Sequence, residues 1–186
     1  MMKQRIDLRC GNYEDVLHGV RGDLVFTSPP YNIGSSSPAV TGTRNEGLGL
    51  YDSKSYRSIT DYPDSIPEAE YQSQQVDFLY WCSDHLNDDG IVVYNHKPRR
   101  KDGTMIHPME WISKVNDFDL MEEVIWDRSS THNHSTKLMW PHTERLYVLK
   151  KRGCVYKLDN RKGLPQRSDV WRMKRARGVN HNAPFT

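Results

Sequence analysis

The sequence predicts an α/β fold built on a parallel sheet, and three segments carry that prediction. Leu24-Val25-Phe26 and Ile91-Val92-Val93-Tyr94 are short apolar runs bounded by turn residues, as buried strands are. Between them, apolar residues recur at helical spacing from Tyr71 to Leu86. A strand, a helix and a second strand in this order form the usual unit of a parallel α/β sheet.

Length and composition restrict the class of protein further. The 186 residues suit one domain, 27% of them are charged, and no apolar run approaches the roughly 18 residues that span a membrane. Cys10, Cys82 and Cys154 have no paired spacing, which favours a reducing compartment over a disulfide framework or a cysteine-based zinc site. We therefore expect a single cytoplasmic domain over residues 1–186 without a membrane segment.

Local patterns predict the elements around the first strand. Arg5–Leu8 alternates polar and apolar residues and predicts a short strand, and Tyr13–Val20 predicts a short helix. Residues 32 to about 64 are rich in Gly, Ser, Thr and Asn with little periodicity. A loop of that length in a compact domain is either functional or disordered. Because it follows Tyr31 directly, it could close over a substrate.

The second half of the chain predicts two helices and a closing hairpin. Ser65-Ile66-Pro67-Glu68 has the pattern of a capping box with proline in the first turn, and Asn87–Gly90 predicts the end of the long helix. Met109–Val115 predicts a further helix. Leu120–Trp126 and Arg145–Lys150 predict an antiparallel pair of strands.

The most informative motif is Ser28-Pro29-Pro30-Tyr31, directly after the first strand. Consecutive prolines fix φ and restrict the residue before each of them, so this turn is rigid. Ligands of α/β sheets bind at the carboxyl ends of the strands. The turn is therefore suited to hold a flat group between polar acceptors and an aromatic ring, although a purely structural Pro-Pro turn is the alternative.

This strand and turn resemble the catalytic motif of the amino-directed DNA methyltransferases, which methylate cytosine N4 or adenine N6. Serine in the first position, as at Ser28, is most typical of the cytosine-N4 group. The resemblance implies a partial Rossmann-like class I methyltransferase sheet with a terminal antiparallel β-hairpin. Further similar segments follow in the family's order: Arg5–Asn12, Tyr94–Lys97, His107–Ile112, Ile125–Arg128, Thr143–Lys151, Asp169–Trp171 and His181–Phe185.

The resemblance also implies a chemistry for these residues. The Ser28 hydroxyl and the Pro29 carbonyl would accept the two hydrogens of the target amine, Pro30 would stiffen the turn, and Tyr31 would stack on the base. The base would be flipped out of double-stranded DNA, and S-adenosylmethionine would be the cofactor. The cofactor pocket would be lined by Asn12, which stands where the family has an acidic residue, and by Ala183, Pro184 and Phe185.

One motif of the family is missing from the sequence. The family continues after the segment of Phe185 with a strand that ends in Phe-x-Gly-x-Gly, and no such motif occurs here. Gly47-Leu48-Gly49 has no strand before it and is a false match. Three interpretations stay open: a truncated product, one half of an enzyme completed by a second polypeptide or a homodimer, or a rearranged cofactor site. We expect methylation of cytosine N4, with adenine N6 as the second choice of target, in a bacterial or phage modification system. The alternative is an inactive DNA-binding remnant or subunit.

The other polar clusters are less specific. His132, His134 and His142 could suggest a metal site or a His-Asn-His nuclease, but residues two apart in a polar stretch do not converge on one ion, so no metal site is predicted. The segment Thr131–Lys137 and the loop at 35–60 are candidates for target recognition. Basic residues cluster at 97–101 and 161–177, where solvated surface and phosphate contact are both open.

Overall fold

The computed structural model describes residues 6–32, 65–101, 103–129, 136, 139–155 and 168–173. Four predictions fall wholly or mostly outside these residues. They are the polar loop after Asn32, the segment Thr131–Lys137, the basic cluster at 161–177, and the cofactor residues Ala183, Pro184 and Phe185.

The described part of the chain contains one long helix, two short helices and seven strands. The elements, in order, are α1 (Tyr13–Val16), β1 (Gly22–Thr27), α2 (Glu68–His85), β2 (Leu86–His96), β3 (Arg99–Lys101), β4 (Thr104–Ile106), α3 (Met109–Ile112), β5 (Phe118–Asp127), β6 (Thr143–Lys151) and β7 (Val170–Arg172).

Five of these strands form one mixed sheet in the order β1-β2-β6-β5-β7. β1 and β2 are parallel, with Phe26 opposite Val93, and α2 connects them. β6 is antiparallel to both β2 and β5, and β7 adds to β5 in parallel. β3 and β4 form a separate two-stranded ribbon. The predicted α/β sheet and its closing antiparallel hairpin are thus confirmed.

The core lies between α2 and the centre of the sheet. Tyr71, Leu79 and Cys82 recur at helical spacing and are at most 1% exposed, as the sequence predicts for the buried face of α2. They belong to one cluster with residues of β2, α3 and β6, which includes Val92, Tyr94, Trp111, Tyr147 and Leu149.

The prediction that β1 is buried is wrong for two of its three apolar residues. Leu24 is 56% exposed and Phe26 is 65% exposed, whereas Val25 packs against the core. β1 lies at the edge of the described sheet, and neighbouring residues of a strand point to opposite faces. An apolar run predicts a strand, but it does not show what covers each face.

The N-terminal elements are shorter than predicted. Residues 6–8 are not in a strand, and Ile6 and Leu8 are 83% and 90% exposed. The first helix ends at Val16 rather than Val20, and Gly19 then takes a φ of 72°, in the left-handed region that favours glycine.

Some later boundaries also differ. Pro67 is the N-cap of α2, without a side-chain capping bond, so the capping box does not form. Asn87–Gly90 lies inside β2 and does not end the helix, because the strand already begins at Leu86, which pairs with Gly22 of β1. The register between the two strands shifts over this segment. α3 ends at Ile112, before the predicted Val115.

The cysteines and the helices can be compared with what composition predicts. Cys10, Cys82 and Cys154 are all free thiols. In the described part of the chain, no helix has the length and apolar character needed to cross a membrane.

Candidate active site

The Ser28–Tyr31 turn lies at the carboxyl end of a parallel strand pair. Thr27, the last residue of β1, is opposite Tyr94 near the end of β2. The turn therefore reaches the residues that follow Tyr94, and the ring centroids of Tyr31 and His96 are 4.5 Å apart. This is the edge at which parallel α/β sheets bind their ligands.

Ser28 and Tyr31 are joined by their hydroxyl groups. The two oxygens lie 3.1 Å apart, and the Tyr31 hydroxyl donates to Oε2 of Glu144 on β6 across 3.4 Å. Burial raises the pKa of Tyr31, and the charge of Glu144 raises it further, so this phenol keeps its proton. Since that proton points to the carboxylate, Ser28 donates to the Tyr31 oxygen. Among the described residues, no donor lies on the lone pairs of Ser28 Oγ, so this oxygen can accept from an incoming N–H.

Glu144 is held in place by a buried ion pair. Nη1 of Arg128 lies 2.8 Å from its Oε1, and Nδ2 of Asn95 donates to its Oε2 across 3.2 Å. Arg128 also donates to the carbonyl of Pro141 at 2.8 Å. Both charged residues are 5% exposed. The acceptor of the Tyr31 hydroxyl is thus fixed by strands β2 and β6 and by the residue after β5.

The turn is also anchored at Pro30 and Asn32. The Tyr71 hydroxyl, on α2, donates to the Pro30 carbonyl across 2.7 Å. Asn32 has a φ of 53°, and its side chain binds both backbone groups of Ile66, at 2.8 and 3.0 Å. The segment that leads into α2 therefore fixes the exit of the turn.

The residues predicted from the motif differ in what surrounds them. Tyr31 is 6% exposed, and Nζ of Lys97 lies 5.2 Å from the centroid of its ring. The stacking of this ring on a base stays a prediction. Asn12 caps α1 by accepting from the amide of Glu14 at 3.4 Å. Its place in a cofactor pocket also stays a prediction.

Sequence reasoning missed the residues that support the turn, since they come from distant parts of the chain. Tyr71 was assigned only to the core face of α2. Glu144 offered one signal, a carboxylate beside the apolar run that becomes β6. No pattern connected it to the turn. The missed residues are Tyr71, Asn95, His96, Arg128 and Glu144.

The basic cluster at 97–101 divides into two kinds of residue. Arg99 is 7% exposed, forms a bidentate pair with Glu68 at 2.7 and 2.9 Å, and lies 4.6 Å from the Tyr71 ring centroid. It is therefore a structural residue. Arg100 and Lys101 are exposed on β3, which begins three residues after His96, the last residue of β2. They therefore lie beyond the same end of the sheet as the turn.

The histidine cluster cannot be compared with the structure, since His132 and His134 lie outside the described residues. Within the described ranges, no three His, Cys, Asp or Glu side chains are grouped to hold a metal ion.

A parallel strand pair that ends in a polar turn, joined to an antiparallel hairpin, defines part of the sheet of a class I methyltransferase. The family model of the N6/N4 DNA methylases matches residues 22–185, and the chain belongs to this family. S-adenosylmethionine is the cofactor of the family. No curated protein matches the chain by sequence.

Three solved structures that match the chain are distant from it in sequence. The cytosine-N4-specific PvuII DNA methyltransferase matches with a TM-score of 0.59 and 14% identity, over 92% of this chain and 58% of its own. A protein described as a DNA modification methylase of Thermus thermophilus matches at 0.46 and 16%, over 87% and 63%. M1.HpyAVI matches at 0.44 and 10%, over 81% and 54%. The chain thus spans less than two thirds of the length of each.

Proposed function

We propose that this chain supplies the catalytic turn of a DNA methyltransferase that acts on an exocyclic base amine, with cytosine N4 favoured over adenine N6. The observation that carries the proposal is the hydroxyl pair of Ser28 and Tyr31 above Glu144, at 3.1 and 3.4 Å. It leaves the Ser28 oxygen as an acceptor beside the Pro29 carbonyl.

Two acceptors at this position match what methyl transfer to an amine requires. The lone pair of an exocyclic amine is delocalised into its ring, so the nitrogen is a poor nucleophile. If Ser28 Oγ and the Pro29 carbonyl each accept one N–H, the nitrogen becomes more tetrahedral and its lone pair points away from both. The gain comes from positioning and from preorganised dipoles, without a covalent intermediate. The base must first leave the duplex, which costs a few kcal/mol.

The fit of the described residues to S-adenosylmethionine is partial. When bound, the cofactor supplies an electrophilic methyl group. Asn12 serves as a helix cap, and Ala183, Pro184 and Phe185 lie outside the described residues, so no described set of side chains encloses a cofactor.

We propose that further polypeptide, from a second chain or a second copy of this one, completes the cofactor site along β1. One observation supports this: β1 is an edge strand of the described sheet, with Leu24 and Phe26 exposed. Exposed apolar residues on a strand edge are a ready surface for another strand. A homodimer would be detected by sedimentation equilibrium.

The test is methylation of duplex DNA by the purified chain with labelled S-adenosylmethionine, followed by mass spectrometry of the nucleosides. N4-methylcytosine is expected, and N6-methyladenine would correct the base. Ser28→Ala should reduce product formation, whereas Ser113→Ala, an exposed serine on the C-cap of α3, should not. Label independent of Ser28 would contradict the proposal.

An inactive DNA-binding subunit is the second candidate, favoured by the exposed Arg100 and Lys101. DNA binding without cofactor binding, measured by calorimetric titration with S-adenosylmethionine in the presence and absence of duplex, would support it. Cofactor binding that Phe185→Ala abolishes would favour the enzyme.

A further inference from the structure

A chain of short polar contacts joins the Ser28–Tyr31 turn to two buried side chains. The Tyr71 hydroxyl lies 2.7 Å from the Pro30 carbonyl oxygen and 2.7 Å from Nε2 of His96. Nδ1 of His96 lies 2.8 Å from the carbonyl oxygen of Lys97. Tyr71 and His96 are 1% and 0% exposed, so a lost partner is not replaced by bulk water.

If each of these three contacts had a hydrogen of its own, three hydrogens would be needed. Tyr71 and a neutral His96 together supply only two. The carbonyl oxygens only accept, Tyr71 supplies one O–H, and a neutral imidazole supplies one N–H. An imidazolium would satisfy all three contacts. Burial, however, lowers the pKa of His96 to about 3; the bond to the Lys97 carbonyl raises it, and surrounding positive charge lowers it. The charged or titratable groups that face the ring are Arg99, Lys97 and His107.

The Lys97 carbonyl fixes the position of the ring hydrogen. A carbonyl oxygen only accepts, so its 2.8 Å contact with Nδ1 requires the hydrogen on that nitrogen. Nε2 of His96 and the Pro30 carbonyl oxygen are then two acceptors, each 2.7 Å from the Tyr71 hydroxyl. The single hydrogen of this hydroxyl is shared between them, so no contact lacks a hydrogen.

We propose that Tyr71 is a positioning residue of the Ser28–Tyr31 turn, whose hydroxyl donates to the Pro30 carbonyl and is held in place by Nε2 of His96. Holding this carbonyl fixes the peptide between Pro30 and Tyr31, and with it the place of the Tyr31 hydroxyl that contacts Ser28. The catalytic consequence rests on the proposed function, but the hydrogen-bond arrangement does not.

The arrangement is tested by NMR on the full chain labelled with ¹⁵N, without DNA or cofactor. The His96 nitrogens should report the Nδ1-protonated tautomer. Tyr71→Phe should shift Nε2 of His96 and the amide of Tyr31. Tyr147→Phe is the matched control, since its hydroxyl is buried without a partner among the described residues. It should leave the Tyr31 amide unchanged. An Nε2-protonated His96, or a Tyr31 amide that does not shift in Tyr71→Phe, would overturn the proposal.

The catalytic consequence is tested by steady-state methyl transfer. A misplaced turn should lower kcat about 10- to 100-fold in Tyr71→Phe, with an unchanged KM for DNA. Tyr147→Phe should keep its kcat, which separates positioning from general loss of a buried hydroxyl. Equal kcat values for Tyr71→Phe and the wild-type chain would overturn the positioning role. If the wild-type chain transfers no methyl group while the NMR shifts occur, methyl transfer by this chain on its own fails and the positioning of the turn stands.

Discussion

Arg128 and Glu144 form a buried ion pair, with Nη1 of the arginine 2.8 Å from Oε1 of the carboxylate. Both side chains are at most 6% exposed. The pair joins the end of β5 to the start of β6, and Glu144 accepts the hydroxyl of Tyr31. A strong electrostatic contact thus supports the turn without belonging to it.

Removing one member of this pair should destabilise the fold. Arg128→Leu leaves an uncompensated buried carboxylate, and we expect the free energy of unfolding to fall by about 3–5 kcal/mol. Arg145→Leu breaks a partly exposed pair with Glu123 and should cost less than about 1 kcal/mol. Urea denaturation measures both. Equal losses in the two variants would show that burial of the first pair has no effect.

The Tyr31 hydroxyl should contribute to catalysis independently of its ring. Tyr31→Phe removes the link between Ser28 and Glu144, so the Ser28 hydrogen loses its acceptor. We expect kcat of methyl transfer to fall by about 10- to 100-fold, as for one charge-assisted hydrogen bond. Tyr13→Phe, whose ring packs on Phe78 and Trp81, is the control. Full activity in Tyr31→Phe would argue against the role assigned to its hydroxyl.

His96 should make stability depend on pH. Its folded pKa, about 3, lies below the ordinary value of 6.5, so the unfolded chain binds the proton first. The contribution of the neutral His96 to the free energy of unfolding is fully present above pH 6.5. It is lost as the pH falls toward 3, and the loss is on the order of a few kcal/mol. His96→Gln should flatten this slope in urea titrations between pH 7 and 5, whereas exposed His18→Gln should not. An unchanged slope in His96→Gln would contradict the assignment.

Arg100 and Lys101 should contact DNA phosphates if the turn faces a duplex. Replacing both with Ala should weaken binding for all sequences, and the slope of log K against log salt should fall by about 1–2. Arg152→Ala is a matched control, because Arg152 follows the far end of β6 and is exposed. Fluorescence anisotropy at several salt concentrations measures the slope. An equal effect in the control would indicate nonspecific charge attraction.

The Tyr147 hydroxyl should be dispensable for folding. It is buried, and no partner for it lies among the described residues. Tyr147→Phe removes a desolvated polar group, so the free energy of unfolding should stay constant or rise by up to about 1 kcal/mol. Tyr94→Phe is the contrast, because its hydroxyl binds Gln75 at 2.7 Å and Trp111 at 3.2 Å. A loss in Tyr147→Phe as large as in Tyr94→Phe would mean that its hydroxyl has a partner.

The parallel strand pair, the long helix and the closing hairpin could be predicted because each has a local sequence pattern of its own. Short apolar runs bounded by polar residues mark the strands, and helical spacing marks α2. The Ser28–Tyr31 motif was equally local, since two prolines stiffen a turn in any context. Exposure was less predictable: the same apolar pattern in β1 leaves Leu24 and Phe26 uncovered in the described structure.

The support of the turn is a property of strand order, which no local pattern contains. Glu144 lies 113 residues from Tyr31 along the chain, and Tyr71 lies 41 residues from Pro30. Glu144 reaches Tyr31 because β6 lies between β2 and β5 in the sheet. Tyr71 reaches Pro30 because α2 packs against β2. The motif therefore predicted where the turn lies and which role it is proposed to have. The pairing of distant strands determined which buried charge and which hydroxyl hold it, because hydrogen bonds depend on distances in space and not on separation in sequence.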